Sequence, residues 1–305
     1  MSDSTAHAHR SRAAATSWRV RGGELRLEPT PLLMAVLNCT PDSFSDGGLW
    51  SGDRAVEHAQ ACVRAGARII DVGGESTRPG AERIDAPEQI RRTQGVIHAL
   101  AAWLHAEGRS DVVISIDTTR AAVARAAIEA GASIINDVSA CTEDPELAPL
   151  AAAEGVGLVL MHRVLDPTND RWSHEHRTSL VEGDIVEAVA AALFDRVHDV
   201  AARGVAPESI AIDPGLGFGK TVQQNVALVM ATARFVAMGH PVLVGASRKS
   251  FIGAITGEPD PARRVAGSVA VHLEAAAHGV QLLRVHDVAE HAQALAAWRA
   301  IRART

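Results

Sequence analysis

The chain has 305 residues, 47% of them hydrophobic, which is enough for one large barrel or for two smaller domains. Its formal net charge is −6, with 30 basic and 36 acidic residues spread along the chain, so its composition indicates neither a nucleic-acid-binding nor a membrane-binding surface. The cysteines Cys39, Cys62 and Cys141 are far apart and odd in number, which argues against a disulfide framework and predicts a reducing, cytoplasmic location.

The N-terminal segment predicts a tail followed by a β-hairpin. Residues 1–17 mix Ser, Ala, His and Arg without an apolar run of signal-peptide length, so we expect a disordered tail. A transit peptide is the alternative that an Arg-bearing, Ser-rich start leaves open. From Trp18 the side chains alternate around Gly22 and Gly23, which predicts a hairpin that closes the bottom of a barrel. Residues 18–305 are then expected to form a single domain.

The segment from Val112 to Arg120 shows the unit that recurs along the chain. A mostly β-branched run predicts a strand buried on both faces, and this strand ends at Asp117. A carboxylate at the end of a buried strand is a candidate site residue. The alternative is that Asp117 only caps the helix expected near Arg120. Repetition of the same unit favours the site.

Strand, polar tip and helix recur about as often as one barrel requires, so the predicted fold class is α/β, a (β/α)8 TIM barrel with an N-terminal hairpin. The predicted strands span residues 32–38, 68–72, 112–117, 133–138, 157–161, 209–212, 241–246 and 281–285. Helices are predicted over residues 53–65, 87–106 and 181–203, and a closing helix turns Leu295 and Trp298 inward. The helix over 181–203 is the clearest, because its apolar residues fall on one stripe. They are Ile185, Val189, Leu193, Val197 and Val200.

Polar side chains at nearly every strand tip predict a binding mouth at one end of the barrel. Asp117, Asn136 and Asp213 are short acceptors and donors, suited to the edge of a flat heterocycle that carries amino and ring N–H groups. A second group suits a pyrophosphate leaving group, with a magnesium ion at Asn38. Its members are Thr77, Arg78, Arg284 and His286. The predicted reaction is displacement of pyrophosphate from an ester of a heterocyclic alcohol, through positioning and charge stabilisation.

Two other motifs suggest different functions. The turn after the sixth strand ends in Gly-Lys-Thr, as a nucleotide P-loop does, but the first glycine of that motif would fall at position 214, which is Pro. What the turn offers is close backbone approach to a flat ligand, with Phe218 available to stack. His162, His174 and His176 hint at zinc, yet neither an HExxH spacing nor a fourth ligand is evident.

Eight segments of the chain, in order, resemble a known family. They are Asn38-Cys-Thr-Pro-Asp-Ser-Phe-Ser-Asp-Gly-Gly, Asp71-Val-Gly-Gly-Glu-Ser-Thr-Arg-Pro-Gly, Ser115-Ile-Asp-Thr, Ile135-Asn-Asp-Val-Ser, Leu160-Met-His, Asp213-Pro-Gly-Leu-Gly-Phe-Gly-Lys-Thr, Ser247-Arg-Lys-Ser-Phe and Arg284-Val-His-Asp. This ordered set resembles the dihydropteroate synthases. The resemblance implies a TIM barrel, usually a homodimer, that joins 6-hydroxymethyl-7,8-dihydropterin diphosphate to 4-aminobenzoate in folate biosynthesis and releases pyrophosphate.

The resemblance also implies roles for individual residues. The pterin would contact Asp117, Asn136, Val138, Met161, Asp213, Phe218 and Lys249. The diphosphate would contact Asn38, Thr77, Arg78, Arg284 and His286, with Asn38 as the ligand of Mg²⁺. The aminobenzoate pocket, which is also the sulfonamide site of this family, would contain Phe44, Pro79, Phe218 and Ser250. Asp117, Lys249 and Arg284 would be catalytic, in an SN1-like displacement in which the diphosphate leaves before the arylamine attacks.

Two positions depart from the family pattern. Cys39 stands where aliphatic residues are usual, and Arg163-Val-Leu-Asp-Pro replaces a Gly-bearing loop. The other motifs are intact, which predicts an active enzyme. Three alternatives remain: a pterin-binding methyltransferase barrel, a non-catalytic pterin-binding paralogue, and a phosphate-binding barrel lyase. The basic residues after the seventh and eighth strands favour the synthase.

Overall fold

The computed structural model describes residues 13–40, 45–46, 49–50 and 52–303. Its strands are β1 Ser17–Val20, β2 Gly23–Arg26, β3 Leu32–Asn38, β4 Ser45–Asp46, β5 Leu49–Trp50, β6 Ala67–Gly73, β7 Val113–Asp117, β8 Ile134–Asp137, β9 Gly157–Met161, β10 Ile210–Asp213, β11 Leu243–Val244 and β12 Leu282–Val285. Eight of them form one parallel sheet in the order β10-β9-β8-β7-β6-β3-β12-β11. A bridge between Ile212 of β10 and Val242, the residue before β11, joins the two edges of this sheet. The sheet therefore curls into the predicted barrel, which is confirmed.

The N-terminal hairpin is present and lies where it was predicted. β1 pairs antiparallel with β2, and β1 begins at Ser17, while most of the predicted tail lies outside the described residues. Trp18 is fully buried, and its indole nitrogen donates to the carbonyl oxygen of Ser209 at 2.8 Å. A Cβ added to Gly157, the first residue of β9, would lie 3.1 Å from the Trp18 ring. The hairpin therefore covers the N-terminal ends of the strands.

The helices pack around the outside of the barrel. They are α1 Gly52–Arg64, α2 Ala86–Ala106, α3 Ala121–Ala130, α4 Leu147–Glu154, α5 Ile185–Ala202, α6 Val222–Met230, α7 Thr232–Val236, α8 Ser250–Thr256, α9 Val265–Ala277 and α10 Val288–Arg302, with 3-10 helices at Pro207–Ser209 and Pro261–Arg263. None of the helices in this part of the chain is long and apolar enough to cross a membrane.

Several predicted boundaries shift in the structure, and three of the shifts have an identifiable cause. The helix predicted from residue 181 begins at Ile185, because Gly183 has a φ of +73° and the Asp184 carboxylate caps the first turn. The sixth barrel strand begins at Ile210, one residue later than predicted, since Ser209 belongs to a 3-10 helix, and it ends at Asp213. The strand predicted over residues 241–246 shrinks to β11, which pairs with β12 at only two positions.

Apolar side chains fill the barrel beneath the mouth. The hairpin packs against inward-facing residues that have no exposed surface, among them Met34, Ile69, Ile134 and Val159. A larger apolar layer lies between the strands and the helices. Because the lower interior is filled, the polar groups at the C-terminal ends of the strands define the site.

Candidate active site

Strand register brings the polar tips into one layer at the C-terminal end of the barrel. Asn38 is the register partner of Gly73, and Gly73 is that of Asp117. Asp117 in turn is paired with Asn136. The last residues of β9 and β10 are likewise in register. Residues that are far apart in the sequence therefore face one mouth, as the predicted barrel requires.

An ion-pair network forms the floor of this mouth. Arg284 donates from Nε to Asp71 Oδ2 and from a terminal nitrogen to Asp117 Oδ2, each at 2.7 Å. Asn136 Nδ2 donates to the same Asp71 oxygen at 2.9 Å. Asp71 was not predicted as a site residue. The available signal was its position two residues before Gly73, the tip of β6, because residues two apart on a strand face the same side.

Two carboxylates share the Arg284 guanidinium, and burial together with this sharing affects the protonation of Asp117. Desolvation raises the pKa of the Asp117 carboxyl to about 7, although the positive charge of Arg284 opposes the rise. The negative charge of Asp71 raises that pKa further. Desolvation lowers the pKa of Arg284, but the two carboxylates outweigh it and hold that pKa above its ordinary value. Arg284 is therefore a permanent cation, and Asp117 exchanges its proton near neutral pH.

The Gly-rich turn after β10 gathers three of the predicted pterin contacts. Asp213 Oδ1 accepts a hydrogen bond from the backbone N–H of Gly215 at 2.6 Å. Lys249 Nζ lies 4.0 Å from the centroid of the Phe218 ring and donates to the carbonyl oxygen of Leu216. Desolvation lowers the pKa of Lys249 to about 8, while the Asp213 charge raises it. The ammonium thus loses its proton only above neutral pH.

Lys220, in the Gly-Lys-Thr ending, belongs to the scaffold of this turn. Its Nζ donates to the carbonyl oxygens of His162, Gly215 and Phe218 at 3.2, 2.7 and 3.1 Å. These three bonds fix the turn against the tip of β9. Gly215 is needed there because its φ is +68° and an added Cβ would lie 1.8 Å from the His162 oxygen. The lysine therefore serves the backbone rather than a nucleotide.

His286 and Ser247 join the tips of β11 and β12. The backbone N–H of His286 donates to Ser247 Oγ at 3.1 Å, and the same Oγ lies 3.0 Å from His286 Nδ1. Since a hydroxyl can both donate and accept, Ser247 can pair with either tautomer of this ring. Desolvation and the charge of Arg284 lower the pKa of His286 to about 3, so the ring is neutral. Arg78 is close enough to His286 for its positive charge to lower the same pKa.

Ion pairs restrain the loop that follows β6. Arg83 binds Glu75 at 3.0 Å and Glu143 at 2.9 Å. Arg163, from the segment that departs from the family pattern, also binds Glu143. Desolvation raises the pKa of Glu143, but its hydrogen bonds outweigh this and lower the pKa to about 2. The sequence did not predict this network, because its members come from three separate loops.

The same loop carries three of the predicted contacts. Thr77 and Pro79 are half-buried, and Arg78 is exposed. The backbone N–H of Gly80 donates to the carbonyl oxygen of Pro167 at 2.8 Å, which ties this loop to the one that follows β9. The loop therefore stands at the rim of the mouth with its arginine in solvent.

The remaining predicted contacts come from faces and loops around the mouth. Val138 and Met161 are buried. Ser250 begins α8, and its Oγ accepts a hydrogen bond from the Ser173 backbone N–H at 3.1 Å. Phe44 lies outside the described residues.

Asn38 and Asp117 flank the space above Gly73. A Cβ added to Gly73 would lie 3.9 Å from Asn38 Oδ1 and 3.8 Å from Asp117 Oδ2. The amide oxygen of Asn38 is a donor that Mg²⁺ accepts, and Mg²⁺ commonly takes its other ligands from phosphate and water. In the described part of the chain, no group of three or more His, Cys, Asp or Glu is placed to hold a metal. These residues fit a magnesium ion that enters together with a phosphate.

The contacts of Asp117 and of His176 bear on two alternative interpretations of the sequence, a helix cap and a zinc site. The helix-cap interpretation of Asp117 is wrong, because the first-turn N–H of Ala121 donates to Asp144 Oδ2 at 2.8 Å instead. Of the histidines that hinted at zinc, His176 has its Nε2 3.0 Å from Asp170 Oδ1. That carboxylate's other oxygen accepts from the backbone of the Gly-rich turn. His176 thus takes part in a loop contact.

The chain is similar to known proteins over most of its length. The pterin binding enzyme family matches residues 34–286. Dihydropteroate synthase of Synechocystis is 43% identical over 272 residues, which cover 88% of this chain and 90% of that protein. A solved structure of Xanthomonas albilineans dihydropteroate synthase with 4-aminobenzoic acid has a TM-score of 0.84 at 40% identity, over 94% of this chain and 99% of that one. The Yersinia pestis dihydropteroate synthase in a sulfonamide drug complex has a TM-score of 0.83 at 38% identity, over 94% of this chain and 99% of that one.

The family match runs from within β3 to His286, so it includes the tip of every barrel strand. It also includes the Arg284 network and the Gly-rich turn. The chain therefore belongs to the pterin binding enzyme family and, within it, to the dihydropteroate synthases.

Proposed function

We propose that the protein joins a dihydropterin diphosphate to 4-aminobenzoate and releases pyrophosphate, which is the dihydropteroate synthase reaction. The observation that carries this proposal is the Arg284 network. One cation, held by Asp71 and Asp117 at 2.7 Å, stands between groups suited to a pterin edge and a neutral histidine suited to phosphate. The names of the relatives support the same reaction.

On the pterin side, we infer that Asp117, Asn136 and Asp213 bind the polar edge of the ring. A carboxylate accepts paired hydrogen bonds from an edge with adjacent amino and ring N–H groups. Because Asn136 Nδ2 donates to Asp71, its Oδ1 is the atom left to accept from the ring. Lys249 supplies the donor for a ring acceptor. The faces of the ring would pack against Val138, Met161 and Phe218.

On the diphosphate side, Arg284 and His286 would donate to the phosphate oxygens from the floor of the mouth. Thr77 and Arg78 would reach the same group from the loop after β6. Asn38 would hold the magnesium ion through its amide oxygen. When bound, this ion neutralises charge on the diphosphate and makes it a better leaving group.

The bond between the pterin methylene carbon and the diphosphate oxygen breaks first, and its electron pair leaves with the diphosphate. Arg284 and His286 stabilise the negative charge that develops on this leaving group. The cationic methylene is delocalised into the electron-rich ring, next to the Asp117 carboxylate. The arylamine nitrogen then forms the new bond to this carbon and loses a proton to solvent. Positioning and electrostatics supply the catalysis.

For 4-aminobenzoate, we propose a pocket of Phe44, Pro79, Phe218 and Ser250. The solved relative with 4-aminobenzoic acid supports this choice of substrate. The relative in a sulfonamide drug complex supports sulfonamides as competitors for the pocket. In this arrangement Phe218 contacts both substrates, because the cation–π contact with Lys249 holds its ring at the mouth.

We also propose that the enzyme is a cytoplasmic homodimer. Val226 and Met230, one turn apart on α6, expose apolar side chains that a second copy would cover. Cys39, Cys62 and Cys141 are free and buried, as suits a reducing compartment. Light scattering of the wild type and of Met230→Glu tests the dimer, and a monomeric wild type would contradict it.

The reaction is tested by pyrophosphate release from the purified protein with the dihydropterin diphosphate, magnesium and 4-aminobenzoate. We expect release that depends on aminobenzoate and yields dihydropteroate. Asp117→Asn should lower kcat/KM by about a hundredfold or more, whereas Asp195→Asn on the exposed side of α5 should not change it. Pterin binding without turnover would instead favour a methyltransferase-type or non-catalytic pterin-binding barrel.

A further inference from the structure

The turn between β11 and α8 contains a residue in an unfavourable backbone conformation. Arg248 has a φ of +61°, in the left-handed region that non-glycine residues seldom adopt. It stands between Ser247, which binds His286, and Lys249, which lies over Phe218. Such a conformation persists only where neighbouring groups hold it, and it is commonly found at functional sites.

Several polar contacts hold Arg248 in place. Its backbone N–H donates to Ser268 Oγ at 2.9 Å, and its carbonyl oxygen accepts from Arg264 at 3.0 Å. Its guanidinium binds both carboxylate oxygens of Asp287, with Nε 3.0 Å from Oδ2. Asp287 follows His286 directly, so these bonds fasten the tip of β11 to the tip of β12.

A pair of buried histidines makes a second connection between these tips. The backbone N–H of Ala246 lies 3.0 Å from His272 Nε2, and His272 Nδ1 lies 2.8 Å from His291 Nε2. His291 Nδ1 lies 2.6 Å from the carbonyl oxygen of Asp287. Each ring is about 1% exposed, and the two belong to α9 and α10. The path therefore runs from one strand tip through two outer helices to the other tip.

One arrangement of protons with both rings neutral satisfies the three contacts of this path. The Ala246 N–H is a donor, so His272 Nε2 must accept and its proton must be on Nδ1. The Asp287 oxygen is an acceptor, so His291 must donate from Nδ1 and accept at Nε2. The bond between the rings then runs from His272 to His291, and both rings are neutral. No ring nitrogen is left without a partner.

We propose that His272 and His291 are positioning residues that hold the Ala246–Lys249 turn against Asp287, and thereby set Lys249 relative to His286. This inference rests on the proposed function, in which Lys249 serves the pterin and His286 the diphosphate. Neither histidine lies in the eight segments that resemble the family. They act through other residues and do not themselves contact substrate.

The surroundings of the pair favour the neutral form. Burial lowers the pKa of His272 well below its ordinary value, and burial lowers that of His291 as well. The neighbouring groups differ in effect. The charges of His291 and, to a smaller extent, His286 lower the pKa of His272, whereas its hydrogen bond with the Val244 backbone raises it. Asp287 and Glu290 raise the pKa of His291. Protonation of either ring would set two N–H groups against each other.

Variants of the full-length enzyme test the proposal by steady-state kinetics. His272→Phe removes both hydrogen bonds of the ring, whereas His272→Gln keeps an oxygen that can accept from Ala246. Leu295→Ala, in the apolar face of α10, is the control for a loss of stability alone. We expect His272→Phe to lower kcat/KM for the dihydropterin diphosphate by about ten- to a hundredfold. His272→Gln should recover most of this loss, and Leu295→Ala should stay within about threefold of the wild type.

Nitrogen-15 NMR of the 14 histidines gives a readout that does not require turnover. We expect the signals of His272 and His291 to be those of neutral rings with the proton on Nδ1. His272→Gln should remove the first of these signals, and His291→Gln the second. Protons on Nε2, charged rings, or normal kinetics in a folded His272→Phe variant would overturn the proposal. If that variant does not fold, His291→Asn decides in its place, because its side chain is too short to reach both His272 and the Asp287 carbonyl oxygen. We expect it to lower kcat/KM as His272→Phe does, and wild-type kinetics in it would overturn the proposal. A wild type without turnover would instead refute the proposed function, while the NMR result still tests the pair.

Discussion

Replacing Gly73 by alanine should change the catalytic rate while leaving the free energy of unfolding of the barrel nearly unchanged. The added methyl group would lie 3.5 Å from Asp117 Cβ, 3.8 Å from Asp117 Oδ2 and 3.9 Å from Asn38 Oδ1. These are ordinary van der Waals distances, and no positive φ at Gly73 disfavours a side chain. We therefore expect the free energy of unfolding to change by less than about 1 kcal/mol.

The same methyl group would occupy the space between Asn38 and Asp117, where we propose that the reacting end of the pterin meets the diphosphate. One methyl group in a fitted pocket is worth about 1–3 kcal/mol, or about ten- to 200-fold in kcat/KM. We expect a loss of this size for the dihydropterin diphosphate. Gly95→Ala is the matched control, because Gly95 faces open space on α2 and alanine there should stabilise the helix by about 0.5–1 kcal/mol.

Pyrophosphate release measures the kinetic effect, and urea unfolding measures the stability of both glycine variants. A Gly73→Ala enzyme with kcat/KM within about twofold of the wild type would refute the proposed position of the reacting groups. A large loss of stability would refute the steric reasoning instead.

Three further predictions follow from the same contacts. Asp71→Asn weakens the buried ion pair with Arg284 and should lower the free energy of unfolding, measured by urea unfolding, by about 3 kcal/mol. An unchanged free energy of unfolding would contradict the role of Asp71. The pH profile of kcat/KM should fall below about pH 7, where Asp117 gains a proton, and above about pH 8, where Lys249 loses one. A profile that stays flat from about pH 5 to about pH 9 would exclude both assignments. Gly215→Ala should lower the free energy of unfolding by more than about 2 kcal/mol, since the added Cβ would lie 1.8 Å from the His162 carbonyl oxygen. Thermal unfolding measures this, and a wild-type melting temperature would show that the turn can shift to make room for the methyl group.

The strands and their tips could be predicted from the sequence because each carries its own signal. An apolar run that stops at Asp117 or Asn136 indicates both a buried strand and a polar tip. Boundaries were harder, because they depend on single backbone angles and on partner strands. The start of α5 depends on the φ of Gly183, and the short β11 reflects how few positions of β12 it can pair with.

Residues that act through other residues could not be predicted in the same way. The role of Asp71 depends on Arg284, which follows it by 213 positions and meets it only when the barrel closes. His272 and His291 lie within helices, where a histidine has no distinctive spacing, and their meaning comes from the Ala246 N–H and the Asp287 oxygen. Such contacts require the tertiary structure.

The central claim is that one mouth binds a pterin on one side of Arg284 and a diphosphate on the other. Calorimetric titration tests it most directly, with 6-hydroxymethyl-7,8-dihydropterin and inorganic pyrophosphate as separate probes of Asn136→Ala and His286→Ala. We expect Asn136→Ala to weaken pterin binding by about tenfold or more and to leave pyrophosphate binding unchanged, and His286→Ala to do the reverse. Variants that weaken both probes equally, or neither, would contradict the division of the site.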